Sequence, residues 1–269
     1  MSSKIFRIAS IVVLAGLAST AFAQNSSTTP ESPVTSCSQA SLNGTYGFLH
    51  DGKDGNAAPI SAAVSQITFD ATAGTFTVQT TSSRDGVITM FSATGTYVVA
   101  ANCTGTGFPT GHNPFSFVVT STGFLAVEPI NLTTGISTEG FAVKQGSATC
   151  TNAGVEGSFG LEATGAFVAD TPVTGPVAFI GDLKLTVNHS GEGLISGNLA
   201  GSEGGTIFHF VGEPVTGSYS VAADCTGTIT IKSKSLSDIN FSFVVVNGGK
   251  EMLAIETDAD TIVSGTLRR

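Results

Sequence analysis

The sequence predicts an all-β protein. It should form two tandem antiparallel β-barrels of about eight strands each, after a cleaved signal peptide. Three observations carry that expectation. Most of the chain is written twice, in the same order. Within each copy, short runs alternate apolar and polar residues and are broken by glycine-rich turns. The composition disfavours helix: charged residues are 12% of the chain, against roughly 25% in ordinary soluble domains. Its 33 glycines and 18 phenylalanines, with no Trp, suit strands joined by tight turns.

The N-terminal residues read as an export signal over 1–23. Lys4 and Arg7 form a basic start, Ile8 to Ala18 a mostly apolar stretch, and Ala21-Phe22-Ala23 a small-x-small cleavage site. The apolar run is too short for a membrane span and no other segment approaches one, so no membrane insertion is expected after cleavage. Residues 24–36 are rich in Ser, Thr and Pro and read as a flexible leader.

The repeat begins at Cys37. "ASLNGTYGF" (Ala40–Phe48) is echoed by "AGVEGSFGL" (Ala153–Leu161), and "GTYVVAANCTGTG" (Gly95–Gly107) by "GSYSVAADCTGTI" (Gly217–Ile229). "FSFVV" recurs at Phe115 and Phe241, and "LAVE" at Leu125 returns as "LAIE" at Leu253. The offset drifts from 113 residues (Ala40 to Ala153) to 128 (Leu125 to Leu253). Such drift marks a duplicated unit with loop insertions, and the period is far longer than the roughly 20–50 residues of solenoid repeats. Two domains are expected, 37–148 and 149–269.

Within the copies, Leu183, Leu185 and Val187 alternate with Asp182, Lys184 and Thr186, and Ile67 and Phe69 alternate with Gln66, Thr68 and Asp70. Period two marks half-buried strands. Breaks such as "TAGT", "HSGEG" and "NGG" recur at hairpin spacing.

"LNGTYGF", "GSYSVAADCTGT" and "FSFVVVNGGKEMLAIETDADTIVSGTLRR" resemble a group of exported bacterial proteins of unknown function. The resemblance implies small calycin-like barrels similar to that of allene oxide cyclase. It covers most of each copy, and the second matches better, since the first lacks the "GGKE" turn and the "SGTLRR" ending. It brings no catalytic residue with it.

The chain has four cysteines, Cys37, Cys103, Cys150 and Cys225, one at the start of each copy and one in each "CTGT". Four cysteines allow three pairings. A unit that once stood alone must have paired its own two, which selects Cys37–Cys103 and Cys150–Cys225. There is no CxxC spacing, and no His is near the cysteines in sequence, so structural disulfides are expected rather than a metal or redox site.

The remaining candidates give little chemistry. His50, His112, His189 and His209 have no matched counterparts and read as surface or loop residues. "HDGKDGN" (His50–Asn56) puts Lys53 and Gly55 where a calcium loop needs acids, so it reads as a turn, as does "TDADT" (Thr257–Thr261). Glu128 and Glu256 are matched between copies. With Leu253 and Ile255 on the inward face of their strand, Glu256 should point to solvent. Tyr97 and Tyr219 are matched and read as packing residues. No catalytic residue, cofactor site or metal site is assigned.

The formal net charge of −9 argues against nucleic acid and anionic membranes as partners. Three functions stay open. The first is an exported, non-catalytic protein, secreted or periplasmic, that binds a small apolar ligand or a surface protein or glycan. The second is a structural or surface-interaction protein. The third is a cofactor-free cyclase or isomerase working in a barrel lumen.

Overall fold

The computed structural model describes residues 36–54, 56, 58–131, 136–147, 150–168, 175–203, 206–209, 214–233 and 237–269, with the backbone alone at 128–131, 136, 203 and 206–209. The expected signal peptide and nearly all of the leader lie outside the described residues.

The first barrel is a closed meander of eight antiparallel strands: β1 (Gly44–Lys53), β2 (Pro59–Asp70), β3 (Thr75–Arg84), β4 (Val87–Val99), β5 (Thr104–Pro109), β6 (Phe115–Val119), β7 (Gly123–Asn131) and β8 (Ile136–Lys144), with β8 pairing back to β1. The second comprises β9 (Gly157–Phe167), β10 (Gly175–Val187), β11 (Gly193–Glu203), β12 (Thr206–His209), β13 (Val215–Val221), β14 (Thr226–Lys232), β15 (Ile239–Val246), β16 (Glu251–Glu256) and β17 (Thr261–Arg268). It closes through the β9–β17 and β10–β11 pairings. Both β12 and β13 pair with β11, along different parts of it. Together they stand where the long β4 stands in the first barrel, so each barrel has eight staves.

The repeated "CTGT" closes one end of each barrel. Cys103 and Cys225 adopt left-handed backbone, with φ 68° and 72°, and form the disulfides Cys37–Cys103 and Cys150–Cys225, with Cα–Cα separations of 4.9 and 4.8 Å. The Thr of each motif donates its backbone N–H and its hydroxyl to the side chain two residues earlier, Asn102 in one copy and Asp224 in the other. The Gly lies under a core ring, so a Cβ at Gly105 would overlap Phe117 and one at Gly227 would overlap Phe243. The matched tyrosines complete the closure. Tyr97 Oη donates to Leu42 O at 2.8 Å and Tyr219 Oη to Asn152 O at 2.9 Å. Each thus ties down the short 3₁₀ segment that precedes the first strand of its barrel, Gln39–Ser41 or Asn152–Val155. Burial pushes both phenols up to about 12. Closed loops of 66 and 75 residues correspond to a stabilisation on the order of 4 kcal/mol per bridge in the chain-entropy account.

Both barrels belong to one compact unit. Their contact is a separate apolar cluster. Leu49, Ala62 and Val64 of the first barrel meet Val244, Val246, Leu253, Ile255 and Ile262 of the second, all buried, with Phe141 and Val143 packed against them. Gly47 allows the close approach, because a Cβ there would collide with Val246. Hydrogen bonds cross the same interface, among them Gly248 N–H to Gln145 O at 2.8 Å and Asp260 N–H to Gly86 O at 3.0 Å. Asp51 bonds Ser264 there, and burial raises its carboxyl above the usual range.

Candidate functional site

At the disulfide end, the interior of the first barrel is filled with rings. Tyr46, Phe69, Phe76, Tyr97, Phe117 and Phe124 pack with edge or tilted contacts, as in Phe69–Tyr97 at 4.8 Å and Phe117–Phe124 at 5.7 Å between centroids. Towards the opposite end the rings give way to a cavity of about 100 Å³, bordered by Phe48, His50, Ser65, Ile67, Phe76, Val78, Thr80, Phe91, Ala93, Pro109, His112, Phe115, Ala126, Thr138 and Glu139.

Comparison of the two copies shows how the interior differs here. Registering the strands through Gly44 and Gly157 makes Thr80, Ala93, Pro109 and Thr138 the counterparts of Leu199, Val215, Ile231 and Val263. Those four are buried in the core of the second barrel. At these four positions the first copy carries less apolar bulk, whereas at His50, Phe76 and Val78 it carries more than the matched Ala163, Ile195 and Gly197, so the interior at this level is rearranged between the copies.

The polar groups around the cavity are few. The Ser65 and Thr80 hydroxyls bond each other at 2.8 Å and are buried. Lys53 and Glu139 form an exposed ion pair at 2.6 Å, worth little energetically in water. Two histidines come together here that the sequence reading assigned to surface or loop positions. His50 is on β1, its ring stacked on Phe48 at 4.8 Å and 16°. Desolvation pulls its pKa down to about 4, so at neutral pH it is an uncharged imidazole. His112, on the β5–β6 turn, stacks on Phe91 at 5.6 Å and 24° and is exposed. The arrangement offers a ring-lined chamber with the uncharged His50 imidazole among a few polar side chains in its wall.

The other candidates separate. His189 is exposed in the β10–β11 turn, and the side chain of His209 lies outside the described residues. "HDGKDGN" is only partly a turn: β1 runs to Lys53, and the Asp54 carboxylate then accepts from the N–H groups of Asn56 and Ala58. Among the described residues no group of three or more His, Cys, Asp or Glu could hold a metal ion.

Glu256 is a correction. It does not face solvent: it is 4% exposed, and no described group bonds its Oε2. Leu253 and Ile255 belong to the contact between barrels, whereas Met252 and Ala254 face the core of the second barrel. Strand alternation therefore turns Glu256 inward with the latter pair. The apolar Leu253–Ile255 face of β16 reads as the lumen side from sequence because nothing local shows that the outer face is covered by the other barrel. Burial, with a smaller contribution from the Asp258 charge, raises the Glu256 carboxyl to about 8. Glu128 lies at the matched place on β7, opposite Thr138, and its side chain is outside the described residues.

No protein-family model matches the chain, and no curated protein matches it. Among solved structures it is similar to a protein of unknown function from the DUF3598 family of Nostoc punctiforme. The identity is 10%, over 85% of this chain and 96% of that one, with a TM-score of 0.26. At that score the likeness carries no argument about fold or activity.

Proposed function

We propose that this is an exported, non-catalytic protein whose first barrel takes up a small apolar ligand. The observation behind the reading is the cavity of about 100 Å³ bordered by Phe48, Phe76 and Phe115. The volume is well below the ~300 Å³ at which drug-sized pockets begin and close to the ~150 Å³ of an apolar cavity that takes benzene. The ligand is therefore about the size of one ring. Two disulfides belong to an oxidising environment, and with the N-terminal signal they support secretion or residence in the periplasm. The eight-stranded meander accords with the calycin-like reading.

The test is calorimetric titration of the full chain with benzene and toluene, beside the variant Ala126→Leu, which fills the cavity from β7. The wild type should bind and the variant should not, with unchanged far-UV circular dichroism. A wild type that takes up neither probe, or a variant that binds as well as the wild type, refutes the reading.

One observation favours a second reading, surface interaction. Val98, Phe108, Val118, Leu125 and Val127 are 47–55% exposed on the outer face of adjacent strands β4 to β7. Exposed apolar groups clustered in this way often mark contact surfaces.

A further inference from the structure

We propose that His50 is the polar recognition point of the lumen, and that the ligand is a neutral ring carrying a hydroxyl group, phenol-like in chemistry, which hydrogen-bonds this imidazole. The proposal rests on the lumen-binding reading above and deepens it.

A neutral imidazole has one N–H donor and one bare nitrogen acceptor. His50 borders the cavity, and neither nitrogen has a hydrogen-bond partner among the described residues. Its ring stacks on Phe48, which orients the imidazole without satisfying it. His50 is half-buried, and the cavity it borders is where a hydrogen-bond partner can come from. Among the other polar groups bordering the cavity, Ser65 is matched with Thr80 and Glu139 with Lys53, which leaves the Thr138 hydroxyl and the exposed His112 beside His50.

That pattern narrows the ligand. His50 is uncharged and the Lys53–Glu139 pair is self-neutralising, so the inner wall offers no counter-charge to a buried carboxylate or ammonium, and burying such a charge unpaired is costly. A hydroxyl suits the site because it can donate to the bare nitrogen or accept from the N–H. The aromatic walls and the size of the cavity suit a single planar ring.

The experiment compares phenol with benzene as probes, on the full-length wild type and on His50→Phe, which keeps a ring against Phe48. The phenol-to-benzene affinity ratio should fall about fivefold in the variant, the scale of one neutral hydrogen bond. As a second readout on the wild type alone, the His50 ring ¹⁵N resonances should shift with phenol and not with benzene. If benzene binds but the ratio is unchanged and the ring resonances do not respond to phenol, His50 is not the recognition point and the lumen reading survives. If neither probe binds the wild type, both readings fall. Should His50→Phe fail to fold, the ¹⁵N measurement decides.

Discussion

Replacing Glu256 by Gln should make the protein more stable, and increasingly so as the pH rises. Glu256 is buried on the core side of β16, opposite Phe241 on β15, with Oε2 unbonded among the described residues. The nearby Asp258 carboxylate bonds the backbone N–H and side-chain amide of Asn240 and is held in place. Desolvation, then Asp258, raises Glu256 from 4.5 to about 8. The folded state therefore keeps this proton over a pH range in which the unfolded chain has lost it. Where the native state binds more protons, stability falls as pH rises. Little is lost below pH ~4.5, the loss grows at about 1.4 kcal/mol per pH unit up to pH ~8, and it levels off above that, for a total on the order of 5 kcal/mol. His50 acts in the opposite sense at low pH. Its pKa is lowered to about 4, so stability present above its unfolded value of ~6.5 is lost as the pH falls toward 4. Comparing Glu256→Gln with the wild type cancels that contribution. Urea denaturation followed by circular dichroism at pH 4.5, 6 and 8 should show near-equal stability at pH 4.5 and a Gln advantage of several kcal/mol at pH 8. A difference that does not change with pH would mean Glu256 titrates like a solvated acid, and the inward assignment of its side chain would be wrong.

Two further outcomes follow from the packing. Gly227→Ala should cost more than 2 kcal/mol of stability in the same assay, because the added methyl meets both the Phe243 ring and the Ser220 carbonyl. Gly191→Ala, whose Cβ would meet nothing and carries only the strain of its positive φ, should cost clearly less, and equal costs would contradict the account of the motif. Ile255→Ala empties a fully buried site in the contact between barrels and should cost about 2–5 kcal/mol. Hydrogen exchange should then quicken at Leu49 and Val64 of the first barrel too; unchanged exchange there would show that the barrels do not stabilise each other.

The fold was legible because its signals are local. Period-two runs, glycine breaks and ordered echoes describe strands and a duplication without any knowledge of tertiary contacts. The "CTGT" motif shows how closely: its Cys, Thr and Gly each have a backbone or core duty that recurs in both copies, so the repetition reports a structural need. What the local pattern could not show is which face of a strand is covered twice. In β16 every residue is buried, since one side meets the second barrel's core and the other meets the first barrel. Alternation there has no polar phase to read, and Glu256 was placed on the wrong side. His50 was missed for a related reason. Beside "DGKDGN" it looks like part of a turn, yet β1 continues past it to Lys53. A signal was available in the comparison of copies: Thr80 against Leu199 and Thr138 against Val263 are losses of apolar bulk at interior positions.

That difference between copies bears on where a ligand site could arise at all. In the second barrel, β15 to β17 serve two cores at once: Phe241, Met252 and Val263 inside, and Val244, Leu253 and Ile262 against the neighbour. A smaller side chain on the inner face there would loosen the staves that also carry the contact between barrels, at the few kcal/mol typical of a core truncation. In the first barrel, β5, β6 and the turn bearing His112 supply no side chain to that contact cluster. Pro109, Phe115 and His112 border the cavity from those staves, while the disulfide and the Tyr97 tether hold the opposite end closed. Substitutions on β5, β6 and that turn therefore leave both the sealed end and the contact between barrels intact. On that side of the first barrel, the size of the chamber can change without disturbing the contact between barrels.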